Sequence, residues 1–420
     1  MRNARLWNGL LGVQHTTIER VDDALDSGLV VVHVRPSRTR RGRCGVCQKR
    51  CPGYDQGHGR RRWRALDAGT TRVLLEADAP RVSCREHGIV VAHVPWARHD
   101  AGHTVVFDQQ VAWLVVAMNK TKVCALMRIA WRTVGAIITR VVADLQGGED
   151  RLDGLRRIGI DEISFRRGHR YLTIVVDHDK RRLVWAAEGR DSATLAGFFA
   201  ALGPERCARL THVSADAAPW ISKTVAEHAP DAVLCADAFH VVAWATDALD
   251  EVRRHVWNSA RGAVSRRRAP TATGEAKKLK GARYALWKNP ENLTERQTEK
   301  LAWIAKTHPM LYRAYLLKEG LRYVFAAKGD AGQQALDRWL GWAARCRIPS
   351  FVALGRRIRK HRAAINAALE HDLSNALIES TNTKIRLITR MAYGFANPAA
   401  LIALAMLTLG GYQLTLPGRN

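Results

Sequence analysis

Four short apolar runs between Leu155 and Ala245 each stop at an aspartate. Ile158-Gly159-Ile160 precedes Asp161, and Leu172-Thr173-Ile174-Val175-Val176 precedes Asp177. The run from Leu210 to Ala215 precedes Asp216, and the run from Ala232 to Ala236 precedes Asp237. Runs of this length, rich in Val and Ile, read as buried strands. A carboxylate at the end of such a strand sits at the rim of a sheet, where open α/β sheets bind their ligands. Neighbouring carboxylates repel one another unless cations lie between them, so the set points to a divalent-metal site. Taken singly, each aspartate reads as a turn cap; the metal reading rests on the set.

A second group could bind a different metal. Cys44-x-x-Cys47 and Cys84-x-x-His87 are two half-sites thirty-six residues apart. Each places two soft ligands on one tight turn, and together they make a Cys3His zinc site. Cys51 and His58 are possible substitutes for one ligand. Arginines crowd both sides, among them Arg41 and Arg43 before the first pair and Arg61 and Arg62 beside Trp63. Such residues suit phosphate contacts, although a basic run is also simply a solvated face.

The elements that must hold these groups show in the periodicity. From Phe107 to Leu145 the pattern is helical: Val111, Leu114, Val115 and Met118 share one face, and Val123, Leu126, Met127 and Ala130 another. Val134, Ile137, Ile138, Val141 and Val142 follow at the same period after a short break that Thr133 can cap. Three short helices with a tight last turn describe a helix-turn-helix, with Arg132 and Arg140 as candidate DNA contacts. Gln146 to Asp150 reads as a linker. After Asp161 come strands at Tyr171–Val176 and Leu183–Ala187, a helix from Ser192 to Leu202 and the strand into Asp216. A helix near Trp220–His228 and the strand into Asp237 complete the series. That order predicts a ribonuclease-H-like mixed sheet in which the first and fourth strands are neighbours, so that Asp161 faces Asp216.

Composition narrows the partners. With 66 Lys+Arg against 39 Asp+Glu the net charge is +27, which favours a polyanion, and nucleic acid above all. The most apolar segment, Ala399 to Leu409, falls short of the roughly 20 residues that span a bilayer. Without a secretory signal at its start, the chain reads as cytoplasmic, with its cysteines reduced or bound to metal.

Beyond these patterns, the chain resembles the bacterial insertion-sequence transposases of the DDE type, and more narrowly the ISL3 family. The likeness lies in Gly159-Ile160-Asp161-Glu162, Phe165 to Tyr171, and Asp237-Ala238-Phe239-His240-Val241. It continues through Lys280 to Tyr284, Asn292-Leu293-Thr294, Glu379 to Arg386 and Tyr393-Gly394-Phe395. The resemblance implies that Asp161, Asp216 and Glu379 are catalytic and hold two Mg2+ ions, with Mn2+ able to replace them. Asp237 and His240 match an Asp-x-x-His motif that supports such a site, and Asp237 is the reserve for the second carboxylate. Ala238 and Ser380 depart from the arginine and glycine that the family often has there. The implied partners are double-stranded DNA, as terminal inverted repeats and as target, and further copies of the chain on that DNA. The implied location is the bacterial cytoplasm, at the nucleoid.

The expected organisation is a zinc ribbon at 1–100, a helix-turn-helix and linker at 101–150, and the sheet at 151–245. A helical insertion at 246–370 and a return to the catalytic domain at 371–420 complete it. The insertion carries a basic loop with Arg266, Arg267 and Arg268, and Lys384 and Arg386 follow Glu379 on its helix. That helix reads from Asn375 to Met391, with Glu379, Asn382, Thr383 and Arg386 on one face. Two rivals follow from the same modules: a non-catalytic DNA-binding regulator, and a structure-selective nuclease or resolvase.

Overall fold

The computed structural model describes residues 2–24, 26, 28–148, 150–166, 168–216, 218–265, 271–371, 373, 376–392, 394–395 and 397–418. Arg266, Arg267 and Arg268 lie outside the described residues, as do Arg167 and Tyr393. The chain divides into two units, residues 1–150 with 388–420, and residues 151–387.

The first unit opens with α1 (Arg2–Leu11), β1 (Thr16–Ala24) and β2 (Leu29–Pro36). Then come β3 (Gly53–Asp55), β4 (Arg60–Arg64), β5 (Arg72–Asp78), β6 (Arg81–Cys84) and β7 (Gly88–Val91). Two sheets result, ordered β1-β2-β5-β4 and β3-β6-β7. Alternate residues of the larger sheet face inward: Val30, Val32 and Val34 from β2, and Val73, Leu75 and Ala77 from β5. They pack with Trp63 and Trp96, whose rings meet edge-on at 5.5 Å. Sequence patterning marked the ribbon and missed this sheet, because a long basic stretch separates its strands.

Three helices follow: α2 (Val105–Ala117), α3 (Lys120–Met127) and α4 (Trp131–Gly148). Thr104 caps the first by accepting from Phe107 N at 3.2 Å, and Asn119 caps the second by accepting from Lys122 N at 2.9 Å. Arg128 ends α3 at φ 52°, so the turn into α4 is tight. Thr133, the expected cap of the last helix, instead lies inside it. Val134, Ile137, Ile138, Val141 and Val142 are buried as their spacing required, whereas Leu126 is exposed. The C-terminal helix of the chain, α17 (Pro398–Leu409), packs on α4 and α2. By their contacts, residues from Ile388 onward group with this unit. Among the described residues no helix is long and apolar enough to cross a membrane.

Two polar features lie at the base of these helices. Asp108, fully buried, lies 3.2 Å from Arg98 and 3.5 Å from Arg140. His103 stacks on Phe107 at 5.0 Å, and burial, with Arg140 and Arg64 nearby, pushes its imidazole down to about 4. The unfolded chain therefore takes up this proton first. The neutral ring's contribution is complete above pH 6.5 and is lost as the pH falls toward 4. Between pH 7 and 5 this unit should lose about 2 kcal/mol through His103 alone. Urea unfolding at both pH values tests this, and His103→Gln should flatten the difference; an equal loss in that variant would remove His103 as the cause.

The second unit holds β8 (Arg157–Arg166), β9 (Arg170–Asp177), β10 (Arg182–Glu188), β11 (His212–Ala215) and β12 (Val233–Ala236). Among the described residues these form one sheet ordered β10-β9-β8-β11-β12, with β9 antiparallel to its neighbours and β8, β11 and β12 parallel. This is the ribonuclease-H-like order. The helices α5 (Ser192–Leu202), α6 (Pro204–Cys207) and α7 (Pro219–His228) fill the crossovers. Leu195, Phe198, Phe199, Ile221 and Val225 from α5 and α7 bury Ile158, Ile160 and Val213 on one face of the sheet. Asp161 does not end its strand: β8 runs five residues further. Asp177 ends β9 opposite Ile158, at the other rim, where it accepts from Asp179 N at 2.9 Å and Lys180 N at 3.1 Å. For that aspartate the turn-cap reading holds.

The insertion is helical throughout its described part. It comprises α8 (Ala238–Ser265), α9 (Thr271–Lys280), α10 (Arg283–Trp287), α11 (Glu295–Thr307) and α12 (Pro309–Ala327). α13 (Gly329–Arg345), α14 (Pro349–Lys360) and α15 (Arg362–His371) complete it, and α16 (Ala376–Met391) returns to the sheet. Val241, Leu249, Leu317, Leu321, Leu336 and Phe351 are among its fully buried residues, so the insertion has a core of its own. Trp339 belongs to that core and donates to Leu317 O at 2.7 Å. Trp287 is exposed, beneath the Arg283 guanidinium at 4.8 Å.

Candidate active site and metal centre

The site is built around Gly159 and Asp161, which share one face of β8 because side chains alternate along a strand. A Cβ on Gly159 would come within 2.4 Å of Ile378 Cδ1 and 2.7 Å of His178 Nε2. Only a bare backbone lets α16 lie this close. The approach brings the Asn382 amide to Asp161, and Nδ2 donates to Oδ2 at 2.6 Å. The other oxygen accepts from Glu162 N at 2.7 Å. Asp161 is thereby fixed in orientation. Burial raises its carboxyl, Glu162 N–H and His240 oppose the rise, and the Asp237 charge adds to it.

Glu379 lies one helical turn before Asn382, at the exposed edge of α16. The buried stripe of that helix is Ile378, Thr381, Asn382 and Ile385; Thr383 and Arg386, expected to share the inward face, are exposed. Partial desolvation raises the Glu379 carboxyl, as do the charges of Asp237 and Asp161, with His240 opposing. Asp237 is 4 % exposed, and both of its oxygens are engaged. Oδ1 accepts from Phe239 N at 2.9 Å, and Oδ2 lies 2.5 Å from His240 Nδ1. That bond, with the charges of Asp216, Asp237 and Asp161, lifts His240 to about 9, so it is an imidazolium at neutral pH.

Asp216 follows β11 directly. Ala215 pairs with Ile160, so the same register carries on to Asp161 and Asp216. Its charge acts on Glu162, His240 and His361. Among the described residues no group hydrogen-bonds the carboxylate of Asp216 or of Glu379. The acids therefore share one field but do not close to metal-ligand spacing. Among the described residues, the zinc-type group below alone has its ligand atoms all within 4.8 Å of one another. Hard carboxylate donors that raise one another's proton affinity are nonetheless the environment that a divalent cation relieves.

Sequence reading missed two residues here. Asn382 was placed on the helix face without a partner, since its partner is 221 positions away. Glu162 points to the opposite face, where its side chain is 8 % exposed and its Oε2 meets Arg190 Nε at 2.7 Å. Gly159→Ala should displace Ile378 and His178, cost about 1–3 kcal/mol, and weaken the Asn382–Asp161 bond. Thermal unfolding and DNA-cleavage assays read both effects. Full stability with full activity would mean that α16 has room this geometry denies it.

In the first unit Cys44, Cys47, Cys84 and His87 come together as the spacing required. Cys47 and Cys84 Sγ are 3.7 Å apart, and His87 Nδ1 is 3.6 Å from Cys84 Sγ and 3.8 Å from Cys44 Sγ. A tetrahedron with zinc–sulfur bonds of ~2.3 Å has edges of about 3.8 Å, so the donor set fits zinc. The His87 hydrogen bond draws the Cys84 thiol down to about 6, toward the thiolate that a metal needs. Cys51 and His58 stand outside this group, and Cys51 lies against Lys49 O at 3.4 Å.

The candidate DNA contacts divide into two kinds. Arg132 stands exposed at the start of α4, and Lys384 and Arg386 are exposed on α16. Arg41 is exposed and donates to Pro36 O at 3.1 Å. The other described candidates are engaged within the fold. Arg43 donates to Gln48 O at 3.0 Å, Arg61 to Ala101 O at 3.0 Å, and Arg62 pairs with Glu76 at 2.7 Å. Arg140 faces buried Asp108, because that carboxylate needs compensating charge.

A zinc ribbon, a three-helix unit and a ribonuclease-H-like sheet lined with acids make a DNA-processing enzyme of the transposase class. Residues 158–405 match the family described as Transposase, residues 92–142 the helix-turn-helix domain of transposase family ISL3, and residues 40–87 the zinc-finger of transposase IS204/IS1001/IS1096/IS1165. The chain belongs to the ISL3 transposase family. It is 62% identical to the transposase for insertion sequence element IS1557 of Mycobacterium tuberculosis, over 100% of this chain and 98% of the relative. It is 27% identical to the transposase for insertion sequence element IS1001 of Bordetella parapertussis, over 94% of this chain and 95% of that one.

Proposed function

We propose that the chain binds the terminal inverted repeats of its own insertion sequence and carries out Mg2+-dependent cleavage and strand transfer there. One observation supports this reading: the Asn382–Asp161 bond holds the helix of Glu379 against the strand of Asp161, so that acids remote in sequence act on one another. Asp161, Asp216 and Glu379 would hold Mg2+, which supplies Lewis-acid charge to a phosphoryl oxygen. Asn382 and the Glu162 N–H keep Asp161 in a single orientation. The carboxylates of Asp216 and Glu379, without a hydrogen-bond partner among the described residues, are left for the ion. Asp237, both oxygens engaged, caps α8 and holds the His240 imidazolium between the acids, which limits their mutual repulsion. The zinc ribbon and helix-turn-helix hold the repeat, with Arg41 and Arg132 exposed for phosphate contact. Two ends must be joined, so two or more chains act together on DNA in the bacterial cytoplasm.

The test is a labelled DNA end carrying the inverted repeat that flanks the gene, incubated with target DNA, protein and Mg2+. Cleavage at the repeat boundary and a joined product are expected from the wild type, and neither from Asp161→Ala. Equal activity in both proteins would leave a DNA-binding regulator. Cleavage of branched DNA without joining would leave a nuclease.

A further inference from the structure

Arg190 is held firmly beside the acids, yet the outer edge of its side chain is unused. Its backbone is pinned on both sides. Gly189 donates its N–H to Tyr171 O at 3.0 Å, accepts from Thr173 Oγ1 at 2.9 Å and holds φ 135°. A Cβ there would collide with Thr194 Oγ1, so this turn requires glycine. Asp191, next along, caps α5 by accepting from Thr194 N at 2.8 Å. The guanidinium lies over the Tyr171 ring at 4.9 Å, and its Nε meets Glu162 Oε2 at 2.7 Å. Among the described residues its two Nη groups have no acceptor, and the side chain is 46 % exposed. Glu162, which holds it, is buried, and its Oε1 has no partner. One half-exposed cation seldom repays the burial of a carboxylate, so stability explains the pair poorly. Its place explains it better. Glu162 follows Asp161 on β8; burial raises its carboxyl, Arg190 opposes the rise, and the charges of Asp161 and Asp216 add to it. Arg190 therefore stands at the rim that carries those acids, on the face of the sheet opposite α16.

We propose that Arg190 grips a DNA phosphate next to the one that reacts, and that Glu162 is the residue that positions Arg190 for it. This rests on the transposase reading above and adds to it a phosphate subsite on the far side of the rim. The free edge of a guanidinium presents paired N–H groups, which match two oxygens of one phosphate. The two contacts that Arg190 already makes, to the carboxylate and to the ring, leave that edge uncovered. The ligand follows from charge and place: the chain carries +27, and the acids at the same rim would meet the same DNA. Those acids repel a DNA backbone until cations bind. A fixed positive charge just beyond them offsets that repulsion and sets which phosphate comes to the acids.

The experiment measures the binding of full-length protein, without Mg2+, to a terminal-repeat duplex that runs past the cleavage boundary. A neutral methylphosphonate replaces one phosphate at a time around that boundary. Wild type should lose about tenfold in affinity at one or two positions beside the scissile phosphate, as expected for one charged, hydrogen-bonded contact. Arg190→Gln combined with Glu162→Gln leaves no buried charge unpaired. That double variant should bind the unmodified duplex about tenfold more weakly and show no further loss at those positions. Glu162→Gln alone keeps the arginine and should retain a smaller loss there. Arg190→Lys, with a point charge in place of the fork, should do the same. An identical profile in wild type and double variant would overturn the subsite, as would a weakening of wild-type binding spread evenly over all positions. If the double variant does not fold, Arg190→Lys decides, and an undiminished wild-type profile in it would overturn the subsite. Cleavage by the same wild-type preparation on adding Mg2+ is read separately, so failure of the transposase reading and failure of the subsite are told apart.

Discussion

Glu379→Gln is expected to lower cleavage of a transposon end by roughly 1,000-fold or more, equivalent to ~4 kcal/mol of barrier. Glutamine keeps the shape of the side chain at the exposed edge of α16 and removes the charge proposed to anchor a cation. Preorganised charge at a reacting phosphate is worth several kcal/mol, and little else at this position can replace it. DNA affinity should remain within a few-fold, because Lys384 and Arg386 on the same helix are untouched. Asn382→Ala should cost less, about 10- to 100-fold, since it loosens a ligand without deleting one. A single-turnover cleavage assay with end-labelled DNA reads both variants. Activity of Glu379→Gln within tenfold of wild type would take this residue out of the reaction.

Removal of zinc should have the largest effect on the first unit. β3, β6 and β7 have three or four residues each, too few to bury a core, and the four donors are what hold their loops together. Structural zinc contributes on the order of 10 kcal/mol of folding free energy in small ribbons. Cys84→Ser, or a strong chelator, should therefore unfold the ribbon while the four-stranded sheet around Trp63 and Trp96 survives. Metal analysis should find one zinc per chain, and amide exchange should rise from residue 40 to 91. Affinity for terminal-repeat DNA should drop with it, while Cys51→Ser keeps both metal and affinity. Wild-type protein that holds no zinc and ignores the chelator would refute the assignment.

Much of this architecture was legible in the sequence because it rests on local signals. Alternation and short apolar runs marked all five strands of the central sheet, and the two ligand pairs marked the ribbon. Polarity of the strands was not legible. A run ending in aspartate looks the same whichever way it points, and the antiparallel β9 carries Asp177 to the opposite rim from Asp216 and Asp237. Contacts that depend on a distant partner were hidden as well. Nothing near Asn382 announces Asp161, and nothing near Gly159 announces Ile378. Arg140 looked like a DNA contact because its spacing on α4 is right, but a buried Asp108 on another helix claims it. The run Ala399 to Leu409 read only as too short for a membrane; in the fold it is α17, with Leu401, Leu404 and Met406 buried.

Where that helix packs has a consequence for how the protein is made. α17 lies against α2 and α4, yet almost the entire catalytic unit is translated between them. A ribosome has therefore finished the sheet and the insertion before it releases the piece that seals the helix-turn-helix. Until then the apolar faces of α2 and α4 are missing part of their cover, and closing so long a loop is slow. Emergence of α17, and not that of the first domain, sets the moment at which this chain can grip DNA at full strength.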